Sequence, residues 1–169
     1  MYFAVRDRRW VMGVHFALAV VLTASCAVRL ISTYDELTDT SLTSVQQKTD
    51  DFVAALEENH GKAAASFASA EKFYDEIDGD LRRLEFRVAS IPKNSHSEKL
   101  VSDIRAVILG KSDCSANGTS LRDLHCLGEN KATGPSVAAL EIARRNINTT
   151  ISAALKLELA KKQGTETDK

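Results

Sequence analysis

The sequence predicts an all-α protein. The expected form is an antiparallel helical bundle or helical hairpin with a disulfide-closed loop, preceded by an N-terminal signal or anchor helix. Three observations predict it. From Phe67 to Ile91 apolar residues recur at alternating steps of three and four. Only two prolines and eight glycines interrupt 169 residues. No stretch of useful length alternates apolar and polar residues with the period of a strand. The length fits one domain on a prior of ~100–200 residues per domain.

The first element is residues 1–25. MYFAVRDRR carries three arginines, and WVMGVHFALAVVL carries no charge. Small residues follow: Thr23, Ala24, Ser25 and then Cys26. A basic end, an apolar run and small residues make the order of an export signal, with the basic end held in the cytoplasm. Ala24-Ser25-Cys26 resembles the lipobox of a bacterial lipoprotein signal peptide, with Thr23 where leucine is usual. The resemblance implies a diacylglyceryl group on the Cys26 sulfur, cleavage before Cys26 and acylation of the new amino group. Two or three acyl chains anchor stably, whereas one does not. Ala27, in place of aspartate, implies an outer-membrane address facing the periplasm. Two other readings stay open. Residues 10–28 are long enough to cross a ~30 Å hydrocarbon core as an uncleaved single-span anchor in the inner membrane, or the signal is cleaved without lipid. All three export the rest of the chain.

Residues 26–40 read as a polar tether, and residues 41–162 as the helical domain. Ser41 or Asp39 can cap its first helix, whose stripe is Leu42, Val45, Thr49, Phe52 and Leu56. The second stripe is Phe67, Ala70, Tyr74, Ile77, Leu81, Leu84, Val88 and Ile91, flanked by charged residues. That period of 3.5 predicts coiled-coil-like packing. Pro92 closes the helix by pushing Ile91 out of helical backbone. A third helix starts near Ser97, buries Leu100, Val101, Ile104, Val107 and Ile108, and stops at Gly110. Residues 111–134 read as a loop. The last helix opens at Pro135 and buries Leu140, Ala143, Ile147, Ile151, Ala154 and Leu157 or Leu155. Residues 163–169 read as a disordered tail.

Cys114 and Cys126 stand in CSANGTSLRDLHC. In an oxidising compartment two cysteines this close are expected to pair. Closing a loop of about 13 residues stabilises a fold by roughly 3 kcal/mol. Two unpaired buried thiols, or a metal held by the two cysteines and His125 beside Cys126, are the alternatives. The metal reading lacks the usual C-x-x-C spacing. Cys26 is then the odd cysteine, and a lipid on its sulfur accounts for the count.

With the lipobox in place, ISTYDELTD at 31–39, FYDEI at 73–77 and ASIPKN at 89–94 add a second likeness. The chain resembles a group of small, uncharacterised proteobacterial lipoproteins over about residues 20–110. The resemblance implies a lipidated helical envelope protein and no activity.

No motif of known chemistry stands in the chain. No histidine has a metal-spaced partner, and no nucleophile elbow, phosphate loop or dinucleotide fingerprint occurs. Without residues 1–25 the chain has 19 basic and 22 acidic residues, a net charge of about −3, which gives nucleic acid nothing to bind. The expectation is therefore no catalysis, no cofactor and no metal. The bundle is expected to act as a structural or interaction module, with an envelope protein or a second copy as partner. The alternative is a small-ligand-binding or regulatory bundle on an uncleaved anchor, which needs a cavity lined by groups such as Thr49 or Asn146.

Overall fold

The computed structural model describes residues 31–110 and 114–166. The expected signal at 1–25, the lipidation residue Cys26 and the start of the tether lie outside the described residues, as do 167–169.

The first helix, α1, spans Glu36–Glu58. It begins inside the stretch expected to be tether, and the physical reason is Asp35. Its carboxylate accepts from the Thr38 amide at 2.9 Å and the Thr38 hydroxyl at 2.6 Å. This satisfies one of the amides that a helix start leaves without an intrahelical partner. Thr38 is itself fully buried, so the core begins one turn before Leu42. The buried stripe then runs Leu42, Val45, Thr49, Val53 and Leu56. Val53 takes the place expected for Phe52, because the stripe drifts with the 3.6-residue turn of a straight helix.

A single 3₁₀ turn at Ala63–Ala65 leads to α2, Phe67–Ser90, capped by Ser66. Its buried residues are Ala70, Tyr74, Ile77, Leu81, Leu84 and Val88, as the spacing predicts, with Phe67 and Ile91 half-buried at the two ends. Ile91 is extended, with φ −92° and ψ 121°, as a residue before proline should be. Helix α3 spans Ser95–Leu109, and Gly110 ends it with φ +73°, a backbone state that only glycine adopts cheaply.

The segment expected to be a plain loop contains two short helices, α4 (Leu121–Cys126) and α5 (Asn130–Thr133). Ser120 caps α4 by accepting from the Asp123 amide, while its hydroxyl donates to Asp123 Oδ2 at 2.6 Å. The buried Asp123 also accepts from the Ser115 amide. A Cβ at Gly118 would overlap that carboxylate, so the turn needs glycine there. Cys114 and Cys126 form the expected disulfide.

The last helix, α6, spans Val137–Glu166 and so runs through the first residues of the expected tail. Its buried stripe is Leu140, Ala143, Ile147, Ile151 and Ala154, as expected, and then Glu158 and Lys161. Leu155 and Leu157 are only half-buried.

Helices α1, α2, α3 and α6 form a four-membered ring in which each packs on two neighbours. Cross-helix pairs fix the directions. Lys48 meets Asp80 and Phe52 meets Phe73, so α1 and α2 are antiparallel. Arg105 meets Asp78 and Glu85 across α2 and α3. Glu57 meets Arg144, and Asp50 meets Asn148, across α1 and α6. The result is an up-down-up-down bundle with two distinct poles. The chain enters at one, the Ser32 pole. Helices α4 and α5, the 3₁₀ turn and the disulfide close the other.

Leu81 is fully buried at the centre of α2. A Leu81→Ala variant is expected to lose about 2–5 kcal/mol of stability. Urea unfolding checks this through a lower midpoint with an unchanged slope.

Candidate functional site

Polar groups with the strongest chemistry gather at the Ser32 pole. Lys161 is 4% exposed and Glu158 is 1% exposed. They stand one turn apart on α6, and both face the interior. The Lys161 ammonium donates to Glu158 Oε1, Ser97 Oγ and Asn94 Oδ1, each at 2.7 Å. Three acceptors use all three of its donors. Ser97, in the first turn of α3, also donates to Glu158 Oε1 at 2.8 Å. Asn94 precedes α3. Its amide donates to the Val88 carbonyl at 2.9 Å, and its oxygen also accepts from the Ser32 hydroxyl at 2.7 Å. The Ser32 amide donates to the Lys93 carbonyl, in the turn where Lys93 has φ +62°. Glu158 Oε2 is buried without a hydrogen-bond partner among the described residues.

A second layer lies beside this network. Arg87, near the end of α2, donates twice to the Asp35 carboxylate, a bidentate pair that ties the start of α1 to the end of α2. The guanidinium, supported by the Thr38 bonds, holds the Asp35 carboxyl down at about 2. Tyr34 donates to Asp39 Oδ2 at 2.9 Å, and this bond pushes its phenol up to about 12. The Lys162 ammonium sits 5.4 Å from the Tyr34 ring centre.

The disulfide pole holds a second buried cluster. His125 is fully buried, with Phe52, Phe67 and Tyr74 around it. Its Nε2 lies 2.8 Å from the Ala65 carbonyl, which can only accept, so Nε2 carries the proton. Nδ1 then accepts from the Tyr74 hydroxyl at 3.1 Å. Burial pushes the imidazole pKa below its ordinary 6.5 and the Tyr74 phenol upward. Both ring nitrogens are used, and the neighbouring Cys126 sulfur is in the disulfide. The residues weighed as metal ligands thus have other partners, and no metal-holding group of side chains occurs among the described residues.

Of the residues singled out from sequence, Cys114 and Cys126 are joined, and Cys26 lies outside the described residues. The two Tyr-Asp-Glu segments separate. Tyr34 and Asp35 belong to the Ser32 pole, whereas Tyr74 points at His125 and Asp75 and Glu76 face solvent. The two segments ISTYDELTD and ASIPKN meet through Ser32, Lys93 and Asn94. Thr49 bonds the Val45 carbonyl of its own helix, and Asn146 is exposed. Glu158 and Lys161 escape a hydropathy reading. Their only signal is position, for they extend the apolar stripe by steps of four and three beyond Ala154.

Comparison with protein-family models, with curated proteins and with solved structures finds no match. The fold and site define a disulfide-bridged four-helix bundle with a closed ionic knot at one pole. Its charged groups tie α1 to α2 and α3 to α6.

Lys161→Met leaves the Glu158 carboxylate buried without its cation, and is expected to cost about 3–5 kcal/mol. The Glu158→Leu/Lys161→Met double variant should cost clearly less than either single change. A double-mutant cycle in urea checks this.

His125 sets an acid limb. Its folded pKa lies below the unfolded value, so the unfolded chain takes up the proton first. Stability is full above about 6.5 and is lost as pH falls from there toward the folded value. Melting temperatures between pH 8 and 5 should show this decline, and His125→Gln should flatten it.

Proposed function

We propose that the protein is a lipid-anchored cell-envelope protein whose bundle serves as a structural or protein-interaction module, without catalysis. The observation that carries this reading is the filled core. Side chains from all four long helices meet in one apolar cluster. The polar groups buried with it, Thr49, His125, Ser97 and Lys161, are bonded to other parts of the chain. A ligand-binding bundle needs a lined cavity between helices. Here a hollow beside α6, lined by Glu141, Arg145, Asn148, Ser152 and Lys156, is open and polar, and two smaller ones between α1 and α2, beside Phe52 and Phe73 and beside Leu37 and Arg87, also open to solvent. The hollow beside α6 suits contact with another protein surface better than capture of a small molecule.

The disulfide supports export to an oxidising compartment. No described helix is long and apolar enough to cross a membrane. Attachment in this reading rests on acyl chains at Cys26, in the inner leaflet of the outer membrane, facing the periplasm. An uncleaved inner-membrane span over residues 10–28 is the alternative anchor.

The test joins two measurements. Intact mass of the membrane-extracted protein should give a chain beginning at Cys26 and heavier by two or three acyl chains, with the modification absent from Cys26→Ser. A photo-cross-linking amino acid at the exposed Arg145 should yield one discrete adduct in cells. A full-length unmodified chain would overturn the lipoprotein reading. Turnover of any envelope substrate would overturn the non-catalytic one.

A further inference from the structure

The Ser32 pole has a second property, separate from its ionic knot. Six large apolar side chains are exposed among the described residues, and four of them lie at this pole: Ile31, Leu37, Phe86 and Leu159. Phe86 is 79% exposed, the most of any. The cross-helix bonds place them at one height. Asp35 bonds Arg87, so Leu37 and Phe86 share a level across α1 and α2. Ser97 bonds Glu158, so Leu159 stands beside the first turn of α3. Leu37 and Phe86 lie within about one helical turn, roughly 5 Å, of the ends of their helices at this pole, and Leu159 lies about two turns before the end of α6. They belong to three different helices, so they form a collar, with Leu37 at the rim of a hollow that it shares with Val45, Leu84 and Arg87.

The collar is not an electrostatic patch. Exposed Glu36 and Glu98 offset Lys93 and Lys162 at the same pole. What occupies the collar is indicated by the chain that precedes it. The apolar run 10–28 ends three residues before Ile31, and Cys26 is five residues before it. Five residues reach at most ~18 Å. Whichever anchor operates, this pole is covalently held within that distance of lipid. Tyr34, a residue type favoured at the headgroup level, lies at the same pole with Lys162 against its ring.

We infer that the Ser32 pole seats on the lipid surface, with Ile31, Leu37, Phe86 and Leu159 entering the headgroup region of a zwitterionic bilayer. The bundle axis then stands away from the membrane, and the disulfide pole faces the aqueous compartment. This inference rests on the membrane-anchor reading above. It adds an orientation and a contact surface that an anchor alone does not require.

The test uses the full-length, membrane-extracted protein in phosphatidylcholine vesicles. Phe86→Trp, Leu37→Trp, Leu159→Trp and Ile142→Trp are made singly in a Trp10→Phe background, which leaves one tryptophan in each, excited selectively over the three tyrosines. All four sites are exposed, so folding is expected to persist, and circular dichroism verifies it. Side chains seated ~5–10 Å into the headgroup and acyl boundary come within reach of brominated acyl chains. The expected result is a blue-shifted emission that brominated lipid quenches at positions 37, 86 and 159. Ile142→Trp, toward the other end of α6, should keep its emission. High salt should change nothing.

Protein that floats with the vesicles but shows no quenching at position 86 overturns the seat and leaves the anchor standing. A blue shift without quenching also overturns it, because another protein segment then covers the collar. Equal quenching at position 142 overturns the upright orientation. Protein that fails to float with vesicles refutes the anchor itself, and the seat with it.

Discussion

A buried ammonium must find three acceptors or leave the interior, and much of one pole is arranged around that demand. Lys161 stands on the same stripe as Ile147, Ile151 and Ala154, so α6 cannot bury its apolar face without burying this charge too. The acceptors come from three places: Glu158 of α6, Ser97 of α3 and Asn94 of the connection between α2 and α3. Asn94 in turn holds the end of α2 through Val88 and the incoming chain through Ser32. One cation therefore sets where α3 starts, how the Pro92 turn closes and where the chain joins the bundle. A sliding of α6 by one turn would strand Lys161 among aliphatic side chains. Buried polar groups of this kind are best attested as devices that fix register.

The two poles solve the same problem with different chemistry. Four helix ends at each pole expose backbone groups without intrahelical partners. At the Ser32 pole the Asp35 carboxylate caps the start of α1 and takes Arg87 from α2, and the Asn94 amide serves the Val88 carbonyl near the end of α2. At the disulfide pole, α3 ends at Leu109, and the chain from 114 to 136 covers what the other helices would leave open. It does so with α4 and α5, with Asp123 as a local hub, and with His125 filling the aromatic space between Phe52, Phe67 and Tyr74. The disulfide fixes Cys126, one residue from that histidine. Stability and redox state are thus linked at the pole that, in the orientation inferred above, faces the compartment.

The long elements were readable because their signal is repetitive. In α2 the buried residues follow the expected stripe, and Pro92 and Gly110 end their helices by local backbone sterics that need no tertiary partner. The disulfide was readable from spacing. Helix α1 starts ahead of its apolar stripe because Asp35, which carries no hydropathy signal, caps it through Thr38. The helices inside 111–134 were missed because four to six residues carry too few repeats to show a period. Ser120 and Asp123, a capping pair, were the available signal.

The sequence by itself determined the helical class and the helix ends at Pro92 and Gly110, and it made the pairing of Cys114 with Cys126 the expected one, since each depends on near neighbours along the chain. Only the tertiary structure decided that Glu158 and Lys161 lie inside, that Ser32 meets Asn94 across 62 positions and that Tyr74 meets His125 across 51. A hydropathy pattern scores lysine and glutamate as surface residues. Whether they can be buried depends on partners that are distant in the chain, and those become neighbours only once four helices have packed.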